Sequence, residues 1–230
     1  MNKQLSTDTL WLLPRVHVRL WATGFVVVAI FCALSYIFFD LKIAIFVREN
    51  MPADAVRVFY LITDAGLGGP WLGLSAALMM IGYIGARRAT SEQSRQRFYR
   101  LRDSFAFMFV AQTFSGVFVV TAKVIIGRIR PKFFFNDGLY GLQPFNFDFG
   151  MNSFPSGHSQ TAWASMISLA LLFPRFRPYF IIAAIIISGS RVMVSAHYLS
   201  DVVMGSYVGA IMTVMTWMWF QKRNLQMGYA

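Results

Sequence analysis

Three short blocks bring together the side chains needed to hold a tetrahedral oxyanion and attack its centre. They are Lys123 with Arg130-Pro131, then Pro155-Ser156-Gly157-His158, then Ser190-Arg191 followed by His197 and Asp201. Arginine suits two-point contact with phosphate oxygens, and lysine adds a point charge. Ser156 reads as the N-cap of a helix whose first amides and dipole face the anion, and Gly157 lets backbone approach a ligand. His197 and Asp201 are four residues apart, so on a helix they share a face. The carboxylate can then hold the imidazole Nδ1–H and leave Nε2 free to attack, which is the orienting logic of a catalytic triad. The candidate catalytic residues are therefore His197, His158 and Asp201, and the candidate phosphate-binding residues are Lys123, Arg130, Ser156, Gly157 and Arg191.

Each of these has a plainer reading. Lys123, near the end of an apolar helix, can snorkel to an interface. An isolated interfacial histidine can be a polar anchor, and a surface His–Asp pair can be a minor helix contact. The separation of Lys123 and Arg130 by two helical turns puts both on a similar face if the helix persists, with Pro131 ending regular structure. Arg128 and Lys132 lie off this pattern and read as interface or lid charges. Tyr198 and Ser200 are expected to face away from the His–Asp pair. His17 receives no role, and Cys32 reads as a small buried apolar side chain.

The elements that must position these residues are written in the composition. Hydrophobic residues make up 57% of the 230 and charged residues only 13%, with 23 Phe and 13 Met. A soluble domain carries about 25% charge, so the chain reads as an integral membrane protein. Crossing a bilayer as helix takes roughly 20 apolar residues. Six spans are expected, near Leu20–Phe39, Trp71–Ala86, Ser104–Ile126, Ser156–Phe173, Tyr179–Val194 and Leu199–Phe220. A cleaved signal peptide is the rival reading of the first, but the span is long and no small-x-small site follows. The fold expected is an all-α polytopic bundle of six transmembrane helices with short interfacial helices, forming one domain over residues 1–230.

The net charge of +11 does not point to nucleic acid, because the basic residues cluster where apolar spans end. With a cytoplasmic N-terminus, the inside segments hold Lys3, Arg15, Arg19, Arg87, Arg88, Arg95, Arg97, Arg100, Arg102, Arg175, Arg177, Lys222 and Arg223. That is thirteen of the 21 Lys and Arg. The positive-inside rule thus places both termini in the cytoplasm and all three blocks on the opposite face. The stretch Asp40–Asp64 reads as two short interfacial helices around Pro52. The loop from Lys132 to Phe154 holds Phe133, Phe134, Phe135, Tyr140, Phe145, Phe147 and Phe149, either packed as a lid or dipping into lipid. Gly205 and Gly209 read as a close helix-packing site.

The spacing of the blocks resembles the type 2 phosphatidic acid phosphatase (PAP2) superfamily. Its signature is Lys, six residues, Arg-Pro; then Pro-Ser-Gly-His; then Ser-Arg, five residues, His, three residues, Asp, and it is matched in order from Lys123 to Asp201. That superfamily holds bacterial lipid phosphatases, glucose-6-phosphatases and vanadium haloperoxidases. The resemblance implies that His197 attacks phosphorus to form a phosphohistidine, while His158 protonates the leaving oxygen and then activates water. Lys123, Arg130, Arg191 and the amides around Ser156 and Gly157 stabilise the equatorial oxygens, with no metal or cofactor. The expected partners are a membrane lipid substrate and the bilayer, with no nucleic acid and no obligate protein partner. The expected location is a bacterial inner membrane with a periplasmic site. Candidate substrates are phosphatidylglycerol phosphate, phosphatidic acid, undecaprenyl diphosphate and lipid A 1-phosphate. A lipid phosphotransferase, a vanadium haloperoxidase, a soluble-substrate phosphatase and a non-enzymatic transporter or binding protein remain as alternatives.

Overall fold

The computed structural model describes residues 14–223 together with Leu225 and Met227; Lys3 lies outside them, and of Arg15 and His17 only the helical backbone is described. Nine α-helices form among the described residues: α1 (Pro14–Phe38), α2 (Asp40–Asn50), α3 (Ala53–Asp64), α4 (Gly68–Arg88), α5 (Glu92–Ile126), α6 (Pro131–Asp137), α7 (Gly157–Leu172), α8 (Arg177–Met193) and α9 (Leu199–Lys222). The all-α expectation holds. Isolated bridges pair Arg128 with Leu142 and Ile129 with Asn152, and no β-strand occurs among the described residues.

Five segments are long and apolar enough to cross a membrane: Arg19–Phe38, Ala53–Arg88, Glu92–Ile126, Pro174–Met193 and Leu199–Lys222. The expected fourth span, α7, has 16 residues. At 1.5 Å per residue that is about 24 Å, short of a hydrocarbon core of about 30 Å. Five of the six expected spans are thus matched by length and composition, and the count of six is not confirmed. The expected third span is also longer than its apolar run, because Ser91 caps α5 by accepting the Ser94 N–H at 3.2 Å. Helices α2 and α3 are the expected pair, turned at Pro52, whose φ of −60° suits an N-cap.

Helix α7 is the centre of the bundle and packs against α5, α8 and α9. It can be central because its inner residues are small or polar: Ser159, Ala162, Ala164, Ser165 and Ser168 are all fully buried. Polar side chains inside it find partners on α5, as where Gln160 donates to the Ser115 hydroxyl at 2.7 Å. Large apolar side chains instead point outward on α1, α4 and α5, among them Val27, Ile30, Ile81, Phe114 and Val117. That inversion is what a lipid solvent selects, since apolar surface gains nothing by hiding from it.

The α7–α9 contact depends on Gly205 and Gly209, as their spacing suggested. A Cβ on Gly205 would lie 2.3 Å from the Ser156 carbonyl oxygen, and one on Gly209 would lie 2.4 Å from that of Gln160. Backbone cannot yield as a flexible side chain can. Gly209→Ala is expected to cost about 1–3 kcal/mol by overpacking, seen as a lowered thermal midpoint in detergent. Gly73→Ala, whose Cβ would meet nothing within 4 Å, should leave that midpoint in place.

Candidate active site

The first block is shaped by a helix ending, not by a helix continuing. Gly127 adopts a left-handed conformation (φ 58°) and returns its N–H to the Lys123 carbonyl at 2.8 Å. A Cβ there would lie 1.6 Å from the Gln143 carbonyl oxygen, so glycine is required. The shared helical face expected for Lys123 and Arg130 does not exist. Residues 128–130 run extended, with Arg130 N–H donating to the Met151 carbonyl at 3.0 Å. Pro131 does not end regular structure either; it opens α6 at a position where its missing N–H costs nothing. The two cations still meet. Lys123 Nζ donates to the carbonyls of Asn152 (2.9 Å) and Ser153 (3.1 Å), and Arg130 Nε donates to the same Asn152 oxygen at 3.2 Å.

In the second block Ser156 is the N-cap, its Oγ accepting the Ser159 N–H at 3.3 Å. The amides of Gly157 and His158 open the first turn and have no acceptor within the helix. Open space lies beside Gly157, where a Cβ would meet nothing within 4 Å. The Ser156 N–H donates to the Asp201 carbonyl at 2.9 Å, joining this block to the third.

The third block is a tight return between α8 and α9. The Arg191 carbonyl accepts the N–H groups of Ala196 (3.1 Å) and His197 (3.2 Å), which closes the Arg-to-His spacing as one turn. His197 therefore precedes α9, and its expected shared helix face with Asp201 is replaced by a capping geometry. Asp201, in the first turn of α9, reaches back so that Oδ2 accepts the Tyr198 N–H at 2.8 Å. That oxygen stands 3.5 Å from His197 Nδ1, beyond good hydrogen-bond range. The Ser153 hydroxyl occupies the gap, bonding Asp201 Oδ2 and lying 3.2 Å from Nδ1.

Arg128 is the residue that sequence reasoning set aside and the structure places at the centre. It is 2% exposed. Its Nη1 meets Asp201 Oδ1 at 2.7 Å and its Nη2 meets Asp40 Oδ2 at 2.8 Å. The guanidinium lies over the rings of Tyr198 (4.1 Å) and Tyr36 (4.9 Å). Ser200 does not face away: its Oγ accepts from Arg128 at 2.6 Å and bonds Asp40. Tyr198 also takes part, through its backbone and its ring. Asp40 begins α2, so this network ties the start of the molecule to the third block. The one available signal was a carboxylate at the end of the first apolar run.

Lys123, Arg130 and Arg191 contrast with Arg128. None of the three makes an ion pair among the described residues. Lys123 and Arg191 are each 7% exposed, and Arg191 Nη1 has only the neutral Thr63 hydroxyl, at 2.7 Å. All three act electrostatically on His158. Burial pushes the pKa of His197 well below the ordinary imidazole value, Lys123 and Arg130 push the same way, and Asp201 opposes them. His197 is thus a neutral imidazole at neutral pH. A groove of about 520 Å³ leads from Lys123 and His158 along Val119, Val120 and Gly116 toward Gln112. In the aromatic loop, Tyr140 packs on Tyr36 and donates to its carbonyl at 3.0 Å, whereas Phe145 and Phe147 are 71% and 75% exposed.

Known proteins resemble this chain in sequence and in fold. A family model described as the PAP2 superfamily matches residues 104–225. A lipid A 1-phosphatase of Rhizobium etli is 34% identical over 80% of this chain and 78% of its own length. One from Rhizobium johnstonii is 35% identical over 84% of this chain and 78% of its own. The crystal structure of a PAP2-type phosphatidylglycerolphosphate phosphatase from Bacillus subtilis superposes with a TM-score of 0.65 at 20% identity, covering 88% of this chain and 96% of that one. Aquifex aeolicus LpxE gives 0.51 at 16% identity, covering 78% and 94%.

Two outcomes test the network. Arg128→Leu leaves Asp40 and Asp201 buried and unpaired, an expected loss of about 3–5 kcal/mol, read as a fall in thermal midpoint; Arg128→Lys should recover only part. His197 supplies a pH dependence. The unfolded imidazole takes a proton below its ordinary value of about 6.5 while the folded one stays neutral. Its contribution is therefore complete above that pH and lost below it, by up to about 1.4 kcal/mol per pH unit. On acidification the parent should lose more stability than His197→Gln.

Proposed function

The chain belongs to the PAP2 superfamily, and from that premise we propose that it is a multi-pass membrane lipid phosphatase acting on the 1-phosphate of lipid A. The observation that carries the reading is the set of buried Lys123 and Arg191 with half-buried Arg130, which have no carboxylate partner within ion-pair distance among the described residues and all act on His158. Such charges are costly in a low dielectric unless an anion meets them. A phosphate dianion at an α7 N-terminus, within reach of a nucleophile, satisfies them all. Among envelope lipids, the curated relatives favour lipid A, since both are named lipid A 1-phosphatases.

The mechanism follows from the roles of the groups. Neutral His197 attacks phosphorus through Nε2, the bond from phosphorus to the lipid oxygen breaks, and His158, protonated once the bound phosphate dianion offsets the cations around it, gives that oxygen its proton. The N–P bond of the phosphohistidine is then broken by water, whose proton passes to His158, and inorganic phosphate leaves. Lys123, Arg130, Arg191 and the amides of Gly157 and His158 hold the equatorial oxygens, where charge stabilisation does most of the work. Asp201 supports the imidazolium that forms on His197. The groove beside Lys123 and His158 suits a lipid chain entering from the bilayer, and Phe145 and Phe147 suit contact with its surface. The positive-inside charge pattern supports cytoplasmic termini and a periplasmic site in a bacterial inner membrane. The whole chain acts as one unit, because Asp40, outside the family match, pairs with Arg128 and reaches Ser200 beside Asp201.

The test is phosphate release by detergent-purified protein from lipid A, phosphatidic acid, phosphatidylglycerol phosphate and undecaprenyl diphosphate, with EDTA present. Release should be fastest from lipid A, survive EDTA, and fall at least about 1,000-fold in His197→Ala. Equal release by parent and variant would reject the nucleophile. Faster release from another of the four would reject the lipid while keeping the phosphatase.

A further inference from the structure

A neutral imidazole has one proton and two places to put it. Only a form with Nε2 bare can attack phosphorus through that nitrogen, so something must hold the proton on Nδ1. Asp201 is the obvious holder, yet its carboxylate is committed elsewhere: Oδ1 to Arg128 at 2.7 Å, Oδ2 to the Tyr198 amide at 2.8 Å and to the Ser153 hydroxyl. Its distance of 3.5 Å to Nδ1 leaves it a weak direct partner.

We propose that the Ser153 hydroxyl is the positioning group that selects the nucleophilic tautomer of His197. An ionised carboxylate accepts hydrogen bonds and cannot donate them. The bond between Ser153 and Asp201 therefore uses the single hydroxyl proton of Ser153. Toward His197, at 3.2 Å, Ser153 has only lone pairs left. Nδ1 must then carry the imidazole proton and donate it to Ser153 Oγ, which leaves Nε2 bare. Arg128 secures the arrangement by keeping Asp201 ionised.

Ser153 is built to stay in place. It is fully buried. Its amide donates to the Arg128 carbonyl at 2.6 Å and its own carbonyl accepts from Lys123 Nζ at 3.1 Å. The same residue thus touches the buried ion-pair network, a phosphate-binding cation and the nucleophile. The charged groups acting on His197 are Asp201 from α9, Lys123 from α5 and Arg130 ahead of α6. Of the three only Asp201 offers Nδ1 an acceptor, at 3.5 Å, a longer contact than the 3.2 Å to Ser153 Oγ.

The inference deepens the phosphatase reading and rests on it for the role of His197, but its first test needs no substrate. Nitrogen-15 spectra of the purified protein with labelled histidine, with His197→Gln assigning the signal, should show His197 protonated at Nδ1 and bare at Nε2. A parent protonated at Nε2 overturns the proposal, whatever any variant does. Ser153→Ala should let the Nε2–H form appear and lower kcat by roughly 10- to 1,000-fold, with KM within about threefold. Ser153→Thr, which keeps the hydroxyl, should restore the parent tautomer and most of kcat. A fall in kcat with the tautomer unchanged, or a changed tautomer with kcat retained, also overturns it. If lipid A is not hydrolysed, the functional reading fails while the tautomer result still stands or falls alone.

Discussion

Positive charge held out of water, with its counter-charge withheld, is the constraint on which this structure turns. A guanidinium or ammonium group away from solvent must be neutralised or richly hydrogen-bonded. The protein answers in two ways within one site. Arg128 is neutralised internally, between Asp40 and Asp201 and between two tyrosine rings. Lys123 and Arg191 are held by neutral oxygens of Asn152, Ser153 and Thr63. The first arrangement fixes the scaffold. The second keeps full positive charge available for a ligand that brings its own negative charge, and placing it on pinned backbone removes the reorganisation that water would require.

The spacings of the three blocks are the spacings of backbone closures. Gly127 returns to Lys123, His197 returns to Arg191, and Ser156 reaches across to Asp201. These bonds determine where each side chain leaves the backbone. The blocks act together because the closures interlock: Ser153 lies against both the first and third blocks, and Asp201 accepts from the second through its carbonyl. An insertion that lengthens any of these turns would displace a charged group and also the amide that anchors its neighbour.

Much of this was legible in the residues. The cap at Ser156, the close approach at Gly205 and Gly209, the helix pair around Pro52 and the membrane character all follow from local chemistry or spacing. What was not legible depends on pairings across the chain. Asp40 and Arg128 are 88 residues apart, and no local pattern links a carboxylate at a span end to an arginine off the motif. Lys123 and Arg130, and His197 and Asp201, share no helix face for one reason: Gly127 and the turn before Leu199 break the helix between them. Ser153 was hidden because a serine in a loop two residues before a proline reads as a turn residue. Its significance lies only in what closes around it. The expected fourth span differs in length because its apolar run is longer than its helix: α7 begins at its cap and ends after 16 residues.

That short central helix bears on how the protein is made. Helix α7 carries His158, Gln160 and several serines, and most of its surface is covered by α5, α8 and α9 rather than by lipid. Alone in hydrocarbon, those polar groups would lack partners, and the segment would be a poor candidate to leave the translocation machinery unaided. It is followed in the chain by two of the helices that cover it. Insertion of α7 is therefore a collective event, completed only when α8 and α9 have been synthesised, and the catalytic face takes shape at the end of biogenesis.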